Sequence, residues 1–207
     1  MIENIDMKQP CPAIYDKAGN KFCIDFINNK TNYHKKKSGL KTELLSKALG
    51  GGKHGFKVLD LTAGLGIDAV FLAQMGYKVT ALERNPLIYL ALRHANQQLA
   101  APMNLGFEFA EAADYLKSTC EEFDIIYFDP MFPEKNKSAL PRQEMVFFKN
   151  LVGADEDASD VLKLAQQMRS LKRVTVKRPI KAPALLNNPL ASLAGKLVRF
   201  DIYGVAQ

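Results

Sequence analysis

From residue 57 onward the chain alternates short apolar runs with stretches of helical spacing. Lys57-Val-Leu-Asp-Leu61 reads as a strand, followed by a helix over roughly Ile67 to Met75 that Gly76 stops. Lys78-Val-Thr-Ala-Leu82 reads as the next strand. Asn85-Pro86 then offers a capping amide and a first-turn proline to a helix carrying Leu87, Leu90, Ala91, His94 and Leu99. Further strands are predicted at Leu105 to Phe109 and Phe123 to Phe128. Beyond them Met145, Phe148 and Leu151 form one helical stripe, and Val161, Leu162, Ala165 and Met168 another. Arg173 to Lys177 and Lys196 to Tyr203 complete the strands, joined by the Pro- and Asn-rich link Pro179 to Pro189, so the last strand should return as an antiparallel edge. This alternation predicts an α/β fold with a mostly parallel sheet covered on both faces.

The first fifty residues differ. Pro12 to Tyr15 and Lys21 to Phe26 flank Asp16-Lys-Ala-Gly-Asn20, a hairpin pattern, and a basic linker leads to a helix over Lys41 to Leu49 that Gly50-Gly51-Gly52 ends. We therefore divide the chain into an N-terminal hairpin, linker and helix over 1–52 and a main domain over 53–207.

A chain of 207 residues, 47% hydrophobic and 24% charged, suits one ordinary domain with a short extension. No apolar run approaches the ~20 residues that span a bilayer, and Met1 to Pro10 lacks the apolar core of a signal peptide, so a cytoplasmic location is expected. Cys11, Cys23 and Cys120 lack C-x-x-C spacing and are expected as reduced thiols; with His34, His54 and His94 scattered, no metal site is expected. The net charge of +6 is unevenly placed: Lys30 to Lys47 carries six Lys against one acid, and Val161 to Lys181 seven Lys or Arg and no acid. The remainder is net acidic. Two basic patches on an acidic body suit a polyanionic partner, although solvated helix faces would look the same.

The chemistry concentrates at strand ends. Asp60-Leu-Thr-Ala-Gly64-Leu-Gly66-Ile67-Asp68-Ala69 follows the first strand and opens a helix, and Glu83 ends the second strand 19 residues after Gly64, where a carboxylate can accept both hydroxyls of a ribose. That pairing fits a nicotinamide dinucleotide as well as S-adenosylmethionine. Asp129-Pro130-Met131-Phe132 after the fourth strand favours the second. A carboxylate, a proline carbonyl and an aromatic at that place suit holding a flat, amino-bearing ring for methylation.

These words, taken in order, resemble the RsmJ family of ribosomal small-subunit guanine-N2 methyltransferases. The resemblance rests on Asp60 to Ala69, Leu82-Glu-Arg-Asn-Pro86, Asp129-Pro-Met-Phe-Pro133 with Lys137-Ser-Ala-Leu140, Leu151-Val-Gly153, Val176-Lys-Arg-Pro179 and Arg199-Phe-Asp-Ile-Tyr203, and spans residues 20 to 204. It implies a class I S-adenosylmethionine-dependent methyltransferase: a Rossmann-like, seven-stranded, mostly parallel sheet with an antiparallel last strand, acting on a guanine N2 of 16S ribosomal RNA. On matching positions it implies a donor site of Gly64, Ile67, Asp68, Glu83, Arg84, Glu111, Ala112 and Asp129, and an acceptor site of Asp129, Pro130 and Phe132. Glu111-Ala112 stands where the family often has a Ser pair, so its adenine contacts would run through backbone atoms or Asp114. RNA, free or in the 30S particle, would be held by basic segments near Lys35, Lys36 and Lys37 and near Arg173, Lys177 and Arg178. Alternatives are a same-fold enzyme acting on adenine N6 in DNA or on a protein amide, a nicotinamide dehydrogenase, or a non-catalytic RNA-binding protein.

Overall fold

The computed structural model describes residues 5–6, 11, 13–15, 21–27, 40–51, 55–99, 101–131 and 155–205. A seven-stranded sheet forms its centre. In chain order its strands are β4 (Lys57–Asp60), β5 (Lys78–Glu83), β6 (Leu105–Phe109), β7 (Ile125–Phe128), β8 (Arg173–Pro179), β9 (Ala191–Ala194) and β10 (Val198–Tyr203), arranged β6-β5-β4-β7-β8-β10-β9. The first five are parallel, and β10 runs antiparallel to both β8 and β9. The last strand is antiparallel as expected but does not form the edge, because β9 takes that place. Ala-Ser-Leu-Ala is short and mostly exposed, so it carries no apolar alternation by which the sequence could reveal it.

Alternation along the strands divides the core into two layers. Val58, Val79, Ile125 and Tyr127 face helices α2 (Ile67–Gln74) and α3 (Pro86–Gln97), whereas Leu59, Leu82, Ile126, Phe128, Val174 and Val176 face α4 (Ala112–Ser118) and α5 (Ala158–Gln166). The Asn85 side chain caps α3, accepting from the N–H groups of Leu87 and Ile88 at 3.0 and 3.3 Å, and Pro86 follows as the first helical residue.

The N-terminal strands β1 (Ile5–Asp6), β2 (Ala13–Tyr15) and β3 (Lys21–Cys23) form a separate antiparallel sheet, and α1 spans Leu40–Ala48. Ile14, Ile24 and Phe26, with Leu45, Ala48 and Leu49, join the core layer on the α2 and α3 face. Cys11 and Cys23, expected as reduced thiols, are brought side by side with Cα atoms 6.0 Å apart. The hairpin register explains the juxtaposition: Ala13 lies opposite Cys23, and Cys11 stands two residues upstream. Cys120 is free and exposed. Among the described residues, no helix is long and apolar enough to cross a membrane.

Candidate active site

Chain order reverses at β4, since β5 lies on one side of it and β7 on the other. Ligands in open α/β sheets bind outside the carboxyl ends of the strands at such a switch point. Here those ends carry Asp60 on β4, Glu83 on β5 and Asp129 just beyond β7.

The turn after β4 is shaped by Gly64 at φ 56° and Gly66 at φ 73°, both left-handed. At Gly66 a Cβ atom would lie 2.7 Å from Leu92 Cδ2 and 2.8 Å from Phe26 Cζ, so glycine here answers to packing as well as to backbone conformation. Ile67 and Asp68 then open α2. Glu83 is buried at the end of β5, where its Oε2 accepts the Gly64 N–H at 3.1 Å and its Oε1 the Asn85 N–H at 2.7 Å. Burial outweighs both hydrogen bonds and raises its pKa to about 7. Each oxygen keeps a lone pair, which is what the two hydroxyls of a ribose require.

Asp60 is buried deeper. Its Oδ1 accepts the Thr62 N–H at 2.9 Å, and burial, with the charges of Asp68 and Asp129 adding to it, raises its pKa to about 8. Thr62 in turn fixes the next strand end, its hydroxyl accepting the Asp129 N–H at 2.8 Å. Met131 N–H donates to Asp155 Oδ2 at 2.6 Å, and Asp155 N–H donates back to the Met131 carbonyl at 2.9 Å. Residues 129–131 are thus held from both sides, with Pro130 between the two anchors.

Arg84 turns towards Asp155, its Nη2 lying 2.9 Å from Asp155 Oδ1 and its Nη1 3.7 Å from Glu111 Oε1. Glu111 is the N-cap residue of α4 without a side-chain cap bond, and Ala112 is the buried first residue of that helix. Phe132 lies outside the described residues, as do Lys35, Lys36 and Lys37.

The second basic segment does not form an open patch. Lys177 Nζ donates to Asp68 Oδ2 at 2.8 Å and also to Asp129 Oδ2. Arg178 is buried and donates through Nε and Nη2 to the Pro183 carbonyl, at 3.0 and 2.6 Å. Arg173 donates to the Ala48 carbonyl at 3.3 Å. Lys177 and Arg178, expected to hold RNA phosphates, are instead taken up by internal partners, while Arg173 is half-buried and keeps part of its surface exposed. Their strand β8 lies inside the sheet, where cationic side chains need internal partners. Sequence reasoning also missed Thr62, Tyr127 and Asp155, although the period-2 alternation of β7 already places Tyr127 on the α2 face with Asp68.

Residues 13–205 match the family described as "Putative SAM-dependent methyltransferase". The chain is 46% identical over 186 residues to "Ribosomal RNA small subunit methyltransferase J" of Bdellovibrio bacteriovorus, covering 88% of this chain and 73% of that protein. The chain belongs to the ribosomal RNA small subunit methyltransferase J family. A methyltransferase J of Coxiella burnetii is 40% identical over 199 residues, with 90% of this chain and 76% of that protein covered. Among solved structures, a SAM-dependent methyltransferase from Neisseria gonorrhoeae superimposes with a TM-score of 0.75 at 28% identity, covering 97% of this chain and 82% of that one.

As a member of the methyltransferase J family, the protein is an S-adenosylmethionine-dependent methyltransferase of class I fold, and S-adenosylmethionine is its methyl donor. The glycine turn and the two remaining lone pairs of Glu83 fit that donor. Membership in the methyltransferase J family favours methyl transfer over a nicotinamide dehydrogenase. Among the described residues, no group of three or more His, Cys, Asp or Glu side chains is arranged to hold a metal ion.

Proposed function

We propose that this chain methylates the exocyclic N2 of a guanosine in 16S ribosomal RNA, in the cytoplasm. The observation that carries the reading is Asp129, whose side chain keeps 37% of its surface exposed at the switch point although its backbone and one carboxylate oxygen are both anchored. The relatives' shared name, a small-subunit ribosomal RNA methyltransferase, supplies the class of acceptor.

Glu83 would hold the donor ribose, Gly64, Ile67 and Asp68 would flank the donor, Arg84 would close the site beside Glu83, and Glu111 with Ala112 would face the adenine. When bound, the donor supplies an electrophilic methyl group on a sulfonium. The guanine N2 lone pair is delocalised into the ring, so this amino group needs positioning more than activation. Asp129 and the Pro130 carbonyl accept its two hydrogens and turn the lone pair towards the methyl carbon, while Phe132 stacks on the base. As the nitrogen gained the methyl and a positive charge, the methyl–sulfur bond would break to leave neutral S-adenosylhomocysteine, and one proton would pass to Asp129 or to water to give the neutral N2-methyl base. Positioning supplies most of the acceleration. The base edge must be reached, so the nucleotide enters unpaired or flipped.

With Lys177 and Arg178 occupied internally, RNA phosphates fall to the half-buried Arg173, the exposed Lys181 beyond β8 and the basic word at Lys35, Lys36 and Lys37. Incubation with labelled S-adenosylmethionine and either naked 16S RNA or immature 30S particles, followed by nucleoside analysis, tests the reading. It expects N2-methylguanosine. Label in N6-methyladenosine, in DNA or in protein would replace it with one of the alternatives.

A further inference from the structure

Lys177 sits where the donor and acceptor halves of the site meet. Val174 and Val176 point to the α4 and α5 face, so alternation sends Lys177 to the α2 face, the side on which Tyr127 lies. Phe128 is paired with Val176, which brings the following residues, Asp129 and Lys177, side by side at the carboxyl edge. The ammonium donates to Asp129 and, at 2.8 Å, to Asp68 Oδ2, and the Tyr127 hydroxyl donates to that same Asp68 oxygen at 2.7 Å.

We propose that Lys177 is a positioning residue for methyl transfer: by gripping Asp129 and Asp68 together, it sets the acceptor carboxylate at a fixed distance from the donor loop. This rests on the functional reading above, in which Asp129 holds the amino group. A lysine serving only RNA phosphates would point outward, whereas this side chain is 13% exposed against 37% for Asp129. Burial by itself would lower the lysine pKa, but the carboxylates of Asp129 and Asp68 outweigh it and keep the group charged. The charged and titratable groups around it are four: Asp60 ends β4, Asp68 opens α2, Tyr127 belongs to β7 and Asp129 follows it. Asp60, with its raised pKa, is mostly protonated at neutral pH. The ammonium therefore faces two carboxylates, one of which stays accessible to the acceptor.

The test compares Lys177→Met and Lys177→Arg with the wild type, reading kcat, the KM for RNA and the pH profile of methyl transfer. For Lys177→Met the proposal expects kcat to fall about 100-fold, the KM for RNA to hold, and the acid limb to move up by about one pH unit or more as Asp129 loses its counter-charge. Lys177→Arg keeps the charge and so keeps the limb, but its planar fork loses part of the geometry and lowers kcat by about tenfold. Melting in the presence of S-adenosylhomocysteine shows which variants retain a folded donor site. If the Met variant does not fold, the Arg variant decides alone, and wild-type kcat in it overturns the proposal. An unmoved limb in a folded Met variant, or a loss confined to the KM for RNA, also overturns it. Those failures differ from failure of the functional reading, in which the wild type itself forms no N2-methylguanosine while still binding S-adenosylhomocysteine.

Discussion

Met131 and Asp155 exchange hydrogen bonds in both directions, the Met131 N–H donating to the carboxylate at 2.6 Å and the Asp155 N–H donating to the Met131 carbonyl at 2.9 Å. Asp155 thereby fixes residues 129–131 and ties them to Arg84, 2.9 Å away at the end of β5. Asp155→Ala removes the carboxylate from both partners but leaves the Glu83 bonds to Gly64 and Asn85 in place. Methyl transfer should fall by about 10- to 100-fold, with S-adenosylhomocysteine affinity nearly unchanged by calorimetry. A variant that loses donor binding instead would place Asp155 in the donor site.

Burial at the strand ends makes stability depend on pH in a definite direction. The folded-state pKa values of Asp60, about 8, and Glu83, about 7, lie above the ordinary values of 3.8 and 4.5, so between those limits the folded protein holds protons that the unfolded chain has released. Stability from these groups is therefore greatest at low pH and declines as pH rises towards 8. The Tm of the ligand-free protein should fall from pH 5.5 to 8.5, a range of about three units chosen to cross both transitions. Asp60→Asn, which can still accept the Thr62 N–H, should flatten that decline. Donor affinity should follow the opposite trend, rising through about pH 7 as Glu83 ionises to accept the ribose hydroxyls. A Tm that climbs over this range would contradict the assignment of Asp60 as a buried, proton-holding carboxyl.

Much of this architecture can be read from the chain. The strands from Lys57 to Phe128 are short runs rich in apolar residues, and each lies within a residue or two of the expected place, the last of them starting two residues later at Ile125. The glycine turn is legible for the same reason, since Gly64, Gly66 and Glu83 are fixed by local backbone geometry and by strand length. The internal partners of Lys177 and Arg178 are not legible, because charge along a sequence does not state which face of a strand it occupies, and here register brings carboxylates and carbonyls to meet those cations. Asp155 carried no sequence signal, because its partners Met131 and Arg84 lie 24 and 71 positions away. The β9 edge escaped for lack of alternation.

Gly66 offers a direct check on the donor turn. In Gly66→Ala the new Cβ would press on Leu92 and Phe26 at 2.7 and 2.8 Å, at a φ of 73°. The left-handed conformation alone costs about 1–2 kcal/mol for an L-residue, so Tm should drop and donor affinity weaken with it. A variant with wild-type Tm would show that the turn relaxes without strain.

The reassigned basic residues separate in their effects. Arg178→Ala should lower Tm, since Arg178 is buried against the Pro183 carbonyl. Lys181→Ala should leave Tm alone, weaken RNA binding and reduce the slope of log affinity against log salt by about one. Equal salt slopes in wild type and Lys181→Ala would move the RNA surface elsewhere.

Methylation of 16S RNA by wild type and Asp129→Ala at matched S-adenosylhomocysteine affinity reads out whether Asp129 holds the guanine amino group for transfer. Wild type should form N2-methylguanosine, and the variant should lose at least about 100-fold of that rate, with the fold intact by melting. Undiminished N2-methylguanosine formation by Asp129→Ala would contradict that role.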